Sequence, residues 1–420
     1  MTLMEDAQNK VENNLIKSVV KSEVLSEEFI REGVANGAIV IPKNKNRILK
    51  IINAVGQGLK TKVNANIGTS PDHISIEEEI EKLSVAIKAG ADAVMDLSTG
   101  GDLPAIRKEI LSACPVCVGT VPIYEAVCRT VARGKKISDI DGELLFDVIE
   151  EQVQQGVDFI TVHCGINKET TKVLNRQGRL AGVVSRGGSF LVKMINASGK
   201  ENPLYEQYDR LLEIAKKYDV VLSLGDGFRP GCIFDASDGA QLAELNVLGD
   251  LVLRARKAGV QTMIEGPGHV PLNQISANVK IAKKLGHNAP LYFLGPIVTD
   301  IAPGYDHITS AIGGALAAAE GVDFICYVTP AEHIRLPNVQ DVHEGVISAK
   351  IAGHVADVVK GIKCAIKQDN EMSKWRKERN WTKQQQYCVD PEKLAKERAK
   401  LPPQEEDVCT MCGKFCAMKD

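Results

Sequence analysis

Short apolar runs alternate with longer amphipathic stretches from about residue 60 to residue 330. Nine of these runs are candidate strands, each ending in polar or glycine residues: TKVNANIG, ADAVMDLSTGG, VCVGTVPIY, VDFITVHCG, GVVSRGG, VVLSLGDGFRPG, QTMIEGPGH, LYFLGPIVTD and VDFICYVTP. Such near-continuous apolar runs are typical of parallel strands covered on both faces. Strands that alternate with helices through right-handed crossovers build a parallel sheet. The pattern therefore predicts an α/β fold.

Within this class we predict a closed parallel (β/α)8 barrel of the TIM type. Eight strands close such a barrel, so we expect one of the nine runs to be peripheral or wrongly assigned as a strand. An open doubly wound sheet is the alternative, but no GxGxxG opens a helix after the first strand.

The composition changes at both ends of the repeat. Residues 1–60 indicate a helical lead-in, and residues 61–360 the barrel catalytic domain. Residues 361–420 are charged and helical, and the linker LPPQEED leads into CTMCGKFCAMKD. We predict a small C-terminal iron–sulfur domain there.

Charge and composition exclude several partners. The net charge is −3 and aromatic residues make up only 5%, which argues against nucleic acid and membrane surfaces. The polar N-terminus has no apolar core of a signal peptide, and no stretch approaches the roughly 20 apolar residues of a membrane span. We therefore expect a cytoplasmic protein, whose eleven cysteines are thiols or metal ligands rather than disulfides.

Polar residues end nearly every candidate strand. They are Asn66, Met95, Asp96, Tyr124, His163, Ser185, Arg186, Asp226, Arg229, Glu265, His269 and Tyr292. In parallel barrels the carboxyl ends of the strands meet at one mouth, where active sites lie. A single histidine at a strand end is more often structural, but the whole set predicts a site.

Three loops suggest the chemistry of that site. SRGGS and GDGFRPG combine glycines with Arg186 and Arg229, so that backbone N–H groups and guanidinium groups can approach a phosphate together. EGPGH and TPAEH supply His269 and His333, which could hold a metal with an open coordination position. His307 is a competing ligand.

The tail places Cys409, Cys412 and Cys416 in the spacing C-x2-C-x3-C. Three thiolates leave one iron of a 4Fe–4S cluster open to an external ligand. A zinc site completed by Cys388 is the alternative. We expect the remaining thiols to be buried in the core: Cys114, Cys117, Cys128, Cys164, Cys232, Cys326 and Cys364.

Linked motifs carry a family resemblance from about residue 30 to the end of the chain: NANIGTS, MDLSTGGD, GTVPIY, SRGG, GDGFRPG, EGPGHVP, LGPIVTDIAPGYDHITSAIGGA, CYVTPAEH and CTMCGKFC. The chain resembles the phosphomethylpyrimidine synthase family and its sister, 5-hydroxybenzimidazole synthase. These are non-standard radical S-adenosylmethionine enzymes that act on 5-aminoimidazole ribotide. The resemblance implies a (β/α)8 barrel, a C-terminal 4Fe–4S cluster, a homodimer, and an electron donor such as flavodoxin or ferredoxin.

The resemblance also assigns residues. It places the zinc ligands at His269 and His333, in preference to His307, and the cluster ligands at Cys409, Cys412 and Cys416. The matching substrate positions are Asn66, Met95, Tyr124, His163, Ser185, Arg186, Gly187, Asp226, Gly227, Phe228, Arg229, Glu265 and Tyr292. Among them, Glu265 and His163 are the candidates for moving protons or fixing the imidazole.

Several segments depart from the family pattern, notably SFLVKMINAS, GHNAPLYFLG and GHVADVVKG. Because these changes surround the substrate loops without removing them, we predict a retained substrate and an altered product. This favours 5-hydroxybenzimidazole synthase of cobalamin biosynthesis over phosphomethylpyrimidine synthase of thiamine biosynthesis. A metal-dependent barrel hydrolase or aldolase and a non-catalytic iron–sulfur protein remain as alternatives of other classes.

Overall fold

A computed structural model describes residues 1–419 of the chain. It divides into two compact units, Met1–Gly353 and His354–Asp420. The predicted boundary at residues 360 and 361 lies inside the second unit, and the division into three parts stays a prediction.

Eight parallel strands of the first unit close into a barrel in the order β10-β3-β4-β5-β6-β7-β8-β9. This confirms the predicted TIM-type fold. The barrel strands are β3 (Lys62–Ile67), β4 (Ala93–Asp96), β5 (Cys117–Thr120), β6 (Phe159–Val162), β7 (Val221–Leu224), β8 (Thr262–Gly266), β9 (Leu291–Leu294) and β10 (Phe324–Cys326). Before them, β1 (Ile39–Val40) and β2 (Val55–Gly56) form an antiparallel pair.

Helices follow the strands in sequence and surround the barrel. In the first unit they are α1 (Leu3–Gln8), α2 (Asn14–Glu23), α3 (Glu27–Asn36), α4 (Ile76–Lys88), α5 (Leu103–Ala113), α6 (Pro122–Ala132), α7 (Gly142–Gln155), α8 (Lys168–Gln177), α9 (Arg186–Ser198), α10 (Pro203–Glu206), α11 (Tyr208–Tyr218), α12 (Gly239–Ala258), α13 (Ile275–Leu285) and α14 (Asp306–Glu320). Helix α15 (Val339–Val359) runs into the second unit, which contains α16 (Lys363–Lys377), α17 (Trp381–Tyr387) and α18 (Pro391–Lys400). Short 3₁₀ turns lie at Ile137–Asp139, Ile233–Asp235, Leu272–Gln274 and Gly413–Phe415.

The surplus run among the nine candidate strands is GVVSRGG. It forms no strand, because Ser185 already caps a helix with its side chain, accepting the N–H of Gly188 at 3.2 Å, and Arg186 begins α9. Gly182 has a positive φ of 67°, a conformation unsuited to a strand. The SRGG motif is therefore a helix N-terminus, which presents backbone N–H groups in the way a phosphate site requires.

The lead-in packs against the amino ends of the barrel strands. Asp158, immediately before β6, accepts the backbone N–H groups of Asn44 and Val118 and pairs with Arg47. Asp158 is fully buried and Arg47 is 7% exposed. These contacts order the end of the barrel opposite the predicted mouth.

The second unit consists of charged helices followed by the cysteine tail. Trp381 donates its indole N–H to the Asp407 carbonyl at 3.0 Å, and Arg398 lies over the Trp381 ring at 3.9 Å from its centroid. These contacts dock the linker onto α17 and α18. None of the helices within residues 1–419 has the length and apolarity needed to cross a bilayer.

Candidate active site

A cavity lies at the carboxyl ends of the barrel strands. Its lining includes eight predicted substrate residues: Asn66, Met95, Tyr124, His163, Asp226, Arg229, Glu265 and Tyr292. Leu97, Val121, Thr161, Gly266, Leu294 and Cys326 complete the lining. Apolar walls with convergent polar groups are typical of small-molecule sites.

His163 connects the cavity to the start of α9. It is buried, and its Nε2 lies 3.1 Å from the Ser185 hydroxyl oxygen. Burial, together with the nearby Arg229 guanidinium, lowers the pKa of His163 to about 3, so the ring is neutral at physiological pH. Gly187 permits this approach, because a Cβ atom there would lie 2.3 Å from Cε1 of His163.

Asp226 and Arg229 come from the loop that follows β7. Their side chains form an ion pair at 3.2 Å between Oδ1 and Nη1. Burial raises the pKa of Asp226 to about 8, although Arg229 opposes this shift. No described residue offers a hydrogen-bond partner to the buried Oδ2 of Asp226 or to the buried Nδ1 of His163. Buried polar atoms of this kind are normally satisfied, so their orphan state indicates a ligand site.

The backbone of this loop is held from two sides by side chains that the sequence analysis did not single out. Glu244 on α12 accepts the N–H groups of Gly227 at 2.9 Å and Phe228 at 2.7 Å. Arg179 donates to the Phe228 carbonyl at 2.6 Å and forms a bidentate pair with Asp238. Phe228 itself is fully buried, so Gly227 and Phe228 contribute to the loop's framework rather than to the cavity lining.

Glu265 on β8 receives hydrogen bonds from the two preceding strands. Thr161 on β6 and Ser223 on β7 donate their hydroxyls to the same oxygen, Oε1, at 2.6 and 2.8 Å. Burial raises the pKa of Glu265 above its usual value, and it outweighs the two hydroxyls, Arg229 and the backbone N–H of Asp226, which act to lower the pKa. The carboxyl group therefore has competing influences on its protonation.

Tyr292 on β9, the register partner of Glu265 on β8, belongs to a network of amides and sulfur atoms. Its hydroxyl accepts a hydrogen bond from Asn64 at 2.8 Å and donates to the Met95 sulfur at 3.4 Å. Asn66 donates to the thiol of Cys326 at 3.1 Å. Because each of these side chains has a neighbour that orients it, this wall of the cavity is ordered.

Arg186 lies at the rim of the cavity. Its guanidinium carbon lies 4.9 Å from the centroid of the Tyr124 ring, and Phe190 packs edge-on against the same ring at 6.3 Å. Arg186, Tyr124, Arg229 and Asn66 also line a wider opening above the cavity. Two guanidinium groups and the N-terminus of α9 thus surround one region.

His269 and His333 lie close together, with ring centroids 5.1 Å apart. Nδ1 of His269 lies 2.7 Å from Asp300, and Nδ1 of His333 lies 3.2 Å from Asp306. A carboxylate on one ring nitrogen is the usual support for a histidine that binds metal through the other. These residues therefore fit the predicted zinc pair, although within residues 1–419 no three His, Cys, Asp or Glu side chains gather as a complete metal site.

The tail cysteines are free thiols, with Cys412 exposed and Cys409 and Cys416 partly exposed. The segment folds into tight turns, in which the Gly413 N–H donates to the Cys409 carbonyl and the Cys416 N–H donates to the Gly413 carbonyl. Three soft thiolates in eight residues fit the donor set of an iron–sulfur cluster. Among the cysteines predicted to be buried, Cys364 is exposed and Cys128 and Cys232 are partly exposed, so that prediction was wrong for these three.

Comparison with known proteins identifies the family to which the chain belongs. The model of the Radical SAM ThiC family matches residues 2–420. The phosphomethylpyrimidine synthase of Thermoanaerobacter sp. (strain X514) is 58% identical over 100% of this chain and 97% of its own. That of Desulfotalea psychrophila is 55% identical over 100% and 96%. Among solved structures, a dihydropteroate synthase from Coxiella burnetii covers 74% of this chain and 99% of its own, with 13% identity and a TM-score of 0.41.

These relatives correct the predicted product. The preference for 5-hydroxybenzimidazole synthase was wrong, because the full-length relatives at 55–58% identity are named phosphomethylpyrimidine synthases. The structure gives the physical reason. Most of SFLVKMINAS lies along α9, and GHNAP precedes β9 at the amino end of that strand, away from the mouth. Only Tyr292 and Leu294 of these two segments line the cavity, so their divergence is weak evidence for a reshaped pocket.

Proposed function

The chain belongs to the radical SAM ThiC family, and on this basis we propose that it is a phosphomethylpyrimidine synthase. In this proposal it converts 5-aminoimidazole ribotide into 4-amino-5-hydroxymethyl-2-methylpyrimidine phosphate for thiamine biosynthesis. The names of its relatives support the product. The barrel mouth supports a substrate that is small, polar and phosphorylated.

The observation that carries the proposal is the pair of orphan atoms in the cavity. Nδ1 of His163 and Oδ2 of Asp226 are buried among residues 1–419 without a protein partner. A neutral imidazole and a carboxyl group can bind the ring nitrogen and the amino group of an aminoimidazole. A purely apolar substrate would leave both atoms unsatisfied, at a cost of about 1–3 kcal/mol each.

The phosphate would bind where positive charge and backbone donors converge. Arg186 and Arg229 supply guanidinium groups, and Ser185 begins α9, whose first N–H groups lack partners within the helix. Tyr124 holds the Arg186 guanidinium over its ring. Asn66, Met95 and Tyr292 would line the cavity together with Glu265, whose register partner is Tyr292, and the buried setting would exclude water from reactive intermediates.

Cysteine thiolates and histidines would hold the cofactors. Cys409, Cys412 and Cys416 would bind a 4Fe–4S cluster, and His269 and His333 a zinc or similar divalent ion. When bound, the cluster would supply one-electron reducing chemistry toward S-adenosylmethionine. We expect a homodimer, and reduction by a donor such as flavodoxin or ferredoxin.

Product analysis tests the proposal. Anaerobically reconstituted protein, incubated with reductant, S-adenosylmethionine and aminoimidazole ribotide, should form deoxyadenosine and the hydroxymethylpyrimidine phosphate, identified by mass spectrometry. Arg186→Ala should lower the yield through weaker substrate binding, whereas Arg210→Ala, which removes a surface pair with Glu143, is the matched control. Absence of deoxyadenosine, or a product of another mass, would contradict the proposal.

A further inference from the structure

The hydroxyls of Thr161 and Ser223 both contact the carboxyl group of Glu265. Both residues are buried, at 4% and 0% exposure. They lie opposite each other in the register of β6 and β7. Alternate residues of a barrel strand point inward, so Thr161 shares the inner face with His163, two residues later. The two hydroxyls and the carboxyl group of Glu265 therefore meet in the barrel interior.

The geometry points to a specific role: we propose that Thr161 and Ser223 are positioning residues that keep Glu265 ionised and direct its second oxygen to N–H groups of the substrate. The two hydroxyls donate to Oε1 at 2.6 and 2.8 Å. A carboxylate oxygen has about two acceptor positions. Oε2 is therefore the oxygen left for further donors: the backbone N–H of Asp226 also acts on this carboxyl group, and in this proposal substrate N–H groups approach Oε2. The orientation toward substrate rests on the proposed function, whereas the control of ionisation does not.

Both hydroxyls are needed because the surroundings of Glu265 oppose its charge. Burial is the largest influence and raises the pKa of this group. The two hydroxyls act in the other direction, since they favour the ionised form. The other charged or titratable groups facing Glu265 are Arg229 and Asp226 from the loop after β7, Tyr292 from β9, Tyr124 from α6, and Cys164 after β6.

The test is a titration of Glu265 in the substrate-free full chain. Infrared difference spectra across pH, with the Glu265→Gln spectra subtracted, follow the carboxyl band of this residue. Loss of a hydrogen bond to the ionised carboxylate disfavours that form. Thr161→Val and Ser223→Ala should therefore each raise the midpoint by roughly one pH unit or more. Thr161→Ser, which retains the hydroxyl, should restore the wild-type midpoint.

Thr120→Val is the matched control. Thr120 lies on β5 with 3% exposure, and its hydroxyl donates to Gln152 at 2.6 Å instead of to Glu265. Loss of the Thr120 hydroxyl should leave the titration midpoint of Glu265 unchanged. If Thr161→Val does not fold, the midpoint of Ser223→Ala alone tests the proposal, because this substitution removes a single buried oxygen. Midpoints equal to wild type in the folded Thr161→Val and Ser223→Ala variants would overturn the proposal.

Calorimetric binding of aminoimidazole ribotide separates the two proposals. Between the wild-type and the raised midpoints, each variant should bind the ribotide at least several-fold more weakly than wild type, because only the wild-type carboxyl group is ionised there. Above the raised midpoint the difference in Kd should narrow. A ribotide that fails to bind wild type contradicts the proposed function, whereas the titration still decides the role of the hydroxyls. Binding by Ser223→Ala with the wild-type dependence on pH would overturn the role of its hydroxyl.

Discussion

Glu244 gives a direct test of how the fold presents the loop after β7. Its carboxylate lies 2% exposed and accepts two backbone N–H groups, from Gly227 and Phe228. Glu244→Leu removes both acceptors and leaves two buried donors unsatisfied, at a cost of about 1–3 kcal/mol each. We therefore expect the free energy of unfolding to fall by roughly 2–6 kcal/mol. Glu244→Gln keeps one acceptor oxygen, so its free energy of unfolding should fall by about half as much.

The loop carries Asp226 and Arg229, so its loosening should also weaken ligand binding. Loss of one charge-assisted hydrogen bond from Arg229 corresponds to about 1.5–3 kcal/mol, which is roughly tenfold to a hundredfold in Kd. The assays are urea unfolding and calorimetric Kd for aminoimidazole ribotide. Arg179→Met should act in the same direction, because Arg179 holds the Phe228 carbonyl of the same loop.

Glu23→Leu separates loop positioning from general stability. Glu23 has a side chain only 3% exposed, pairs with Lys62 and accepts the Lys60 N–H at 3.1 Å, at the amino end of β3. Its loss should destabilise the chain while leaving Kd unchanged. A folded Glu244→Leu variant that binds the ribotide as tightly as wild type would refute the positioning argument.

Two further predictions concern the cofactors. Cys412→Ala should lose the brown colour and the roughly four irons per chain that one cluster requires, whereas Cys364→Ala, at an exposed cysteine, should keep its iron. Iron and sulfide analysis checks this prediction. Retained iron with full activity in Cys412→Ala would contradict the cluster assignment. His269→Ala and His333→Ala should lose a divalent metal while retaining iron, because in each ring an aspartate at Nδ1 leaves the other nitrogen to bind the metal. Elemental analysis checks this prediction. Equal zinc in wild type and both variants would mean that the two histidines are structural.

The barrel could be predicted from sequence because its signal is long and redundant. Eight of the nine apolar runs became strands, and their alternation with helices leaves few topologies. GVVSRGG was wrongly assigned as a strand because its two valines are typical of a short strand. Ser185 is also a preferred N-cap residue, and this signal predicts the helix start that the structure has. Over so short a run, apolar character cannot distinguish the two.

The candidate site was predictable only where a polar residue ended a strand. Glu244 and Arg179 act from helices or loops remote in sequence, so no local spacing reveals them. Thr161 and Ser223 did leave a signal. Each is a polar residue inside an otherwise apolar strand, in FITV and VLSL, where burial requires a partner.

That signal explains how the site is built. A hydroxyl in the middle of a buried strand costs free energy unless it is hydrogen-bonded. On β6 and β7 the partner is a carboxylate from β8, which would itself be costly to bury without donors. Each group therefore offsets the desolvation of the other, and the closed barrel brings them together across three consecutive strands. In our proposal this buried carboxyl group stays ionised beside the cavity, where the proposed substrate offers N–H groups.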